Sequence, residues 1–206
     1  MNPNDLTKEI QQIRSLMERS SKFISISGLS SVLIGTYALI GAGIAYVLVY
    51  GFDSEFSYRD HYITDNGLLL KLFLVALLVL IVSLATGIIM AKRKAKKLKQ
   101  PIWNATSKSL LYAVSIPLIT GGILAMIFIS KEYYILIAST LLVFYGLALC
   151  AGSVFTFPEI RWLGIFEIIL GLLALQFPGY GLWFWVAGFG FLHIIYGIIV
   201  HNKYGS

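Results

Sequence analysis

The chain has 206 residues, of which 58% are apolar and only 13% charged, with mean hydropathy +0.81. A soluble domain of this size cannot hide so much apolar surface in one core, so the composition excludes an ordinary water-soluble globule and calls for lipid as solvent. The net charge of +6 does not mark a nucleic-acid binder, because the basic residues cluster at the ends of apolar runs instead of spreading over a polar surface.

Taken in chain order, residues 4–24 read as a cytoplasmic amphipathic helix. Leu6, Ile10, Ile13, Met17 and Ile24 fall three, four or seven apart, and Asp5 is placed to cap the start. A helix packed on the membrane surface is the simpler reading of this first unit, residues 1–25; contact with a protein partner or a second copy is the alternative. The rest, residues 26–206, forms the transmembrane domain.

Six apolar stretches follow, near 26–50, 67–91, 109–130, 134–154, 163–178 and 182–200. Each approaches the ~20 helical residues that cross a hydrocarbon layer of ~30 Å. They are apolar on every face, which is the pattern of helices and not of barrel strands with alternating polarity. The predicted fold is therefore an all-α membrane protein of six transmembrane helices plus the N-terminal amphipathic helix.

Orientation follows from charge. Lys8, Arg14, Arg19 and Lys22 precede the first span, seven basic residues from Lys92 to Lys108 lie between the second and third, and Arg161 and Lys203 flank the last pair. These make 13 of the 16 basic residues, against Arg59, Lys71 and Lys131 on the other side. The positive-inside rule puts the larger group, and both termini, in the cytoplasm. Lys71 is close enough to the outer end to snorkel to water. Tyr46, Tyr50, Tyr133, Tyr134, Tyr180, Trp183 and Trp185 fall at predicted outer ends, and Trp103, Tyr112, Trp162 and Tyr204 at inner ones, as amphipathic rings at headgroup depth do. The basic run Lys92–Lys99 anchors this topology and is suited to anionic lipid headgroups. No cleavable leader is apparent, and Cys150 alone cannot make an intrachain disulfide.

The outer loop 51–66 carries Asp53, Glu55, Asp60 and Asp65 without the spacing of a calcium loop, so it reads as a solvated acidic segment. Zinc-helix, nucleophile-elbow, redox-pair and phosphate-loop motifs are absent. His61 and His201 lie too near the membrane edges for bis-histidine haem. The reading is a non-enzymatic chain with no metal, no cofactor and no nucleic-acid partner.

A repeat runs through the apolar part. Odd-numbered spans share Gly35-Thr-Tyr-Ala38-Leu39, Gly122-Ile-Leu-Ala125-Met126 and Gly171-Leu-Leu-Ala174-Leu175. Even-numbered spans share Gly87-Ile-Ile, Gly146-Leu-Ala and Gly197-Ile-Ile, the last two preceded by Tyr145 and Tyr196. The hairpins 26–91, 109–154 and 163–200 are thus expected to be parallel repeats about an axis along the membrane normal, with Gly35, Gly122 and Gly171 at equivalent helix–helix contacts. The first span also carries Gly28, Ser31, Gly35, Ala38, Ala42 and Ala45 at alternating three and four spacing, a seam that lets helix backbones approach. Pro117 with Gly121-Gly122 is expected to bend the third span.

Two ionisable residues sit inside spans in matching frames, Gly164-Ile-Phe-Glu167-Ile-Ile-Leu-Gly171 and Gly190-Phe-Leu-His193-Ile-Ile-Tyr-Gly197. Offsets of three and four put each on its helix's glycine face. Measured from the turn near Gly179, Glu167 lies ~18 Å and His193 ~21 Å along antiparallel helices, so they reach similar depths. A carboxyl group in hydrocarbon costs ~2.5 kcal/mol or more, so Glu167 needs a partner, and His193 is the nearest. Two readings stand: a structural hydrogen-bonded pair, or a proton, ion or ligand site. The other hairpins carry Ser31 with Ser83 and Leu118 with Leu142 at the corresponding positions.

The last hairpin, Leu163 to Val200, has the Phe177-Pro178-Gly179 turn and the closing Tyr196-Gly197-Ile198-Ile199. Over these residues it resembles the short hydrophobic repeat of the HdeD-like acid-resistance membrane proteins. The likeness is fainter over 109–154 and weakest over the first hairpin with its long acidic loop. The resemblance implies six helices in three hairpin copies and an inner-membrane stress protein without catalytic residues. The expected function is a non-enzymatic bacterial inner-membrane component, with a small transporter or channel using Glu167 and His193 as the alternative.

Overall fold

A computed structural model describes residues 28–51, 66–97, 99 and 101–204. The expected N-terminal amphipathic helix and the acidic outer loop lie outside the described residues. Within them the chain is helical: α1 (Gly28–Tyr50), α2 (Asn66–Lys97), α3 (Ala105–Ser130), α4 (Ile135–Gly152), α5 (Glu159–Gln176) and α6 (Gly181–Tyr204). Five helical stretches are long and apolar enough to cross a membrane: α1, α2 from Gly67, α3, α4 with the short turn that continues it to Phe155, and α6. α5 has 18 residues and carries Glu159, Arg161 and Glu167.

Local chemistry sets the ends. Asn104 opens α3 with a reciprocal cap: its Oδ1 accepts from the Ser107 N–H at 2.8 Å, and Ser107 Oγ accepts from the Asn104 N–H at 2.9 Å. α4 tightens into a 3-10 turn, Ser153–Phe155, where the Thr156 hydroxyl donates to the Gly152 carbonyl at 3.0 Å. Between α5 and α6 the chain reverses at Gly179, whose φ of 87° favours glycine. Pro117 lies within α3 without ending it.

Two arcs make up the bundle. α1 packs between α2 and α6, α4 packs between α3 and α5, and α6 joins the arcs by meeting α5 and α4. α2 and α3 are not packed along one another among the described residues. Small and polar residues fill the contacts: Ala38, Ala42, Ala125, Ala148 and Ala174 are buried with Ser31, Ser139 and Thr140. Large aliphatics such as Leu78, Ile119 and Ile123 face outward. Lipid gives large side chains no reason to hide, whereas close backbone approach rewards small ones.

Backbone approach is closest at glycine. A Cβ on Gly28 would strike the Gly197 carbonyl of α6, and one on Gly35 the Gly190 carbonyl. Across α4 and α5, a Cβ on Gly146 would meet the Gly164 carbonyl, and one on Gly171 the Ser139 carbonyl. A different face of α1 meets α2, where Gly41 faces Val79. Gly122, expected at a helix contact, has nothing within 4 Å of a Cβ, and neither has Gly87, because α2 and α3 stand apart there.

Candidate functional site

Three helices bring Glu167, His193 and Tyr145 together where α6 widens. Residues Val186–Leu192 form a π-helical stretch, a wider turn often found at functional sites. His193 follows it, with Nδ1 3.0 Å from the Gly188 carbonyl of its own helix and 3.4 Å from Glu167 Oε1 of α5. On its other side Nε2 lies 2.7 Å from the Tyr145 hydroxyl of α4. Nδ1 faces only acceptors, so it carries the ring hydrogen and donates to Gly188. Nε2 is then the acceptor, and Tyr145 donates to it.

Glu167 is 0% and His193 2% exposed. Gly188 makes the space for the carboxyl group: a Cβ there would land on Glu167 Oε2 and on Leu142. Among the described residues neither carboxyl oxygen has a hydrogen-bond partner, since the Nδ1 contact falls outside hydrogen-bond geometry. Aromatic rings wall the other side. Tyr145 packs on Phe189 with centroids 5.0 Å apart and on His193 at 5.4 Å, and Trp185 continues the row at 4.6 Å from Phe189.

The structure thus places the two ionisable residues at one point. The glycines flanking them, Gly164, Gly171, Gly190 and Gly197, line the neighbouring helix contacts. Tyr145 and Gly188 are the additions that sequence reasoning missed as site members. Tyr145 carried a signal, its place before Gly146 in the repeated string, but nothing there pointed its hydroxyl at His193. The corresponding positions are apolar or smaller: Leu142 is fully buried against Gly188, Ser31 is buried, and Leu118 is 39% exposed. Among the described residues no group of three or more His, Cys, Asp or Glu gathers as metal ligands.

A second polar cluster ties the ends of α5 and α6. Lys203 and the Tyr204 hydroxyl both donate to Glu159, and the Tyr204 ring stacks on Phe157 at 4.3 Å. Burial pushes the Glu159 carboxyl up, but the hydrogen bonds from Lys203 and Tyr204 outweigh it and hold the group below the usual carboxylate range. Lys94 of α2 reaches over the same Phe157 ring, 5.8 Å from its centroid.

These features define an all-helical chain of membrane-protein character with a buried Glu167–His193 pair that the partly buried Tyr145 joins through its hydroxyl. No protein-family model, no curated protein and no solved structure matches the chain.

Proposed function

We propose that this chain is a non-enzymatic protein of a bacterial inner membrane, a structural or stress-response component in which the Glu167–His193–Tyr145 cluster locks three helices together. The observation that carries the reading is the closure of the cluster. Both ring nitrogens of His193 are engaged by the bundle itself, and Glu167 and His193 are sealed from the surface. The Tyr145–His193 hydrogen bond holds α4 and α6 in one register, since a polar group left without its partner in lipid is costly, and Glu167 of α5 joins them by its 3.4 Å approach to His193 Nδ1. The likeness of 163–200 to HdeD-like proteins supplies the stress-response part of the proposal.

The proposed architecture is six spans in three parallel hairpins with both termini cytoplasmic. In it α5, of about 27 Å at 1.5 Å per residue, crosses between α4 and α6. The two glycine seams support the repeat. Gly28, Val32 and Gly35 of α1 each lie 136 residues before Gly164, Ile168 and Gly171 of α5; Gly190, Ile194, Gly197 and His201 of α6 each lie 51 after Ser139, Val143, Gly146 and Cys150 of α4. Under these two shifts the contacts correspond: Gly197 meets Gly28 and Val32 as Gly146 meets Gly164 and Ile168, and Gly35 meets Gly190 and Ile194 as Gly171 meets Ser139 and Val143. The exposed Lys92, Arg93, Lys96 and Lys97 at the end of α2 suit anionic headgroups, at ~1 kcal/mol for each basic group near the surface.

A small transporter or channel is the second reading, and one observation favours it: neither oxygen of Glu167 has a hydrogen-bond partner among the described residues, which leaves the carboxyl group able to take a proton or a cation. Purified protein in liposomes separates the two. The structural reading expects no proton or ion flux above empty vesicles from the wild-type chain, and a lower melting temperature for Glu167→Gln with any acid-protection phenotype kept. Flux that Glu167→Gln abolishes at unchanged melting temperature establishes the transporter instead.

A further inference from the structure

The pairing of hairpins leaves one seam open. In the two closed seams an even-numbered helix meets the odd-numbered helix of the next hairpin: α4 meets α5, and α6 meets α1. The same rule pairs α2 with α3, yet these are the helices that stand apart. By the correspondence of Gly87 with Gly146 and of Gly122 with Gly35, the open seam faces are Leu84, Gly87 and Ala91 on α2 and Ser115, Ile119 and Gly122 on α3.

Both faces are unused among the described residues. Val75 and Val79 of α2 lie against Gly41 of α1, and Gly87 and Leu84 sit roughly 100° and roughly 160° further round the helix. On α3, Val114 and Gly121 face α4, and Ser115 and Gly122, each one residue on, are rotated by the same roughly 100°. Leu84 and Ile119 are 55% and 61% exposed, and nothing lies within 4 Å of a Cβ at Gly87 or Gly122. At one level the seam differs from the others. Leu80 stands where the closed seams have Gly190 and Ser139, so there a large side chain meets Gly122 as a knob meets a notch.

An even-type face fits an odd-type face, and within one chain α2 is held by α1 and α3 by α4. We infer that a second copy of this chain completes the seam, the α2 face of each copy docking on the α3 face of the other. A two-fold pair satisfies both open faces at once and leaves none over, so the assembly closes as a dimer and does not extend as a filament. Close approach of small residues drives the association, as in the closed seams. This inference rests on the hairpin-repeat reading.

Cross-linking of the full-length chain in native membranes tests it. Gly87→Cys and Ser115→Cys chains carrying different tags, the pair that corresponds to Gly197 with Gly28 in a closed seam, are co-expressed and oxidised, with the wild-type chain, which holds Cys150 alone, as background. A disulfide joining the two tags well above background is expected, with none from a control pair of Leu78→Cys and Ile123→Cys on lipid-facing positions. Adding Gly122→Leu to untagged protein should shift the particle from dimer to monomer while the monomer stays folded and helical. Overturning results are a monomeric wild-type particle, equal cross-linking by the control pair, or a disulfide that forms only within one chain carrying both cysteines. Failure here leaves the repeat untouched; that reading falls separately if Gly35→Leu and Gly171→Leu differ widely in their destabilisation.

Discussion

Gly146 and Gly164 meet backbone to backbone across α4 and α5, so that a Cβ on either would strike the carbonyl oxygen of the other. This contact ties packing to the site, because the same two helices carry Tyr145 and Glu167. Gly164→Ala should destabilise the bundle by about 1–3 kcal/mol, the usual cost of overpacking, since backbone cannot move aside as a side chain can. Gly122→Ala, with open space at its Cβ, should be neutral or stabilising by up to about 1 kcal/mol through helix propensity. Thermal or denaturant unfolding in detergent ranks the two; similar losses would contradict the packing described.

Removing the Tyr145 hydroxyl by Tyr145→Phe leaves His193 Nε2 without its donor inside the bundle. Hydrogen bonds within membranes average about 0.6 kcal/mol and reach about 1.7, so a loss in that range is expected. A double-mutant cycle with His193→Ala checks that the energy belongs to the pair, and additive effects would show that it does not.

A side chain at Gly188 must displace the side chains of Glu167 and Leu142. A Cβ there lands on Glu167 Oε2 and Leu142, so Gly188→Ala should cost about 1–3 kcal/mol. Combining it with Glu167→Ala, which empties the place of the carboxyl group, should recover part of the loss; no recovery would remove Gly188 from the site.

The Glu159 clamp predicts acid sensitivity at the ends of α5 and α6. A carboxylate held low in the folded state stabilises it above the unfolded pKa of about 4.3, and this contribution fades as pH falls through the lower folded value. Hydrogen exchange of the last turn of α6 should quicken over that acid range in the wild-type chain. Lys203→Met should quicken it already at neutral pH, and an unchanged profile in this variant would mean that the clamp contributes nothing.

Topology is checked by labelling from outside the cell. A cysteine at Ser57 should react and one at Lys96 should not. Lys96 is exposed, whereas Ala95 is only 2% exposed and would stay silent on either side. The reverse pattern would invert the orientation.

Much of the architecture was legible in the chain because lipid imposes a simple rule: a segment must be apolar and about twenty residues long. The apolar runs and charge clusters therefore located the helices. Paired glycines at three and four spacing likewise put Glu167 and His193 on inward faces, because helical geometry fixes angle and rise without reference to neighbours.

Tertiary structure decided the rest. Which glycines are covered depends on which helices meet, so Gly35 and Gly171 are buried in contacts while Gly122, in the same short string, stays open. The partners of His193 depended on the π-helical widening, which presents the Gly188 carbonyl, and on the approach of α4, which delivers Tyr145. Local sequence fixes the direction of a side chain along its own helix, but the distance between groups on different helices is set by the packing of the whole bundle.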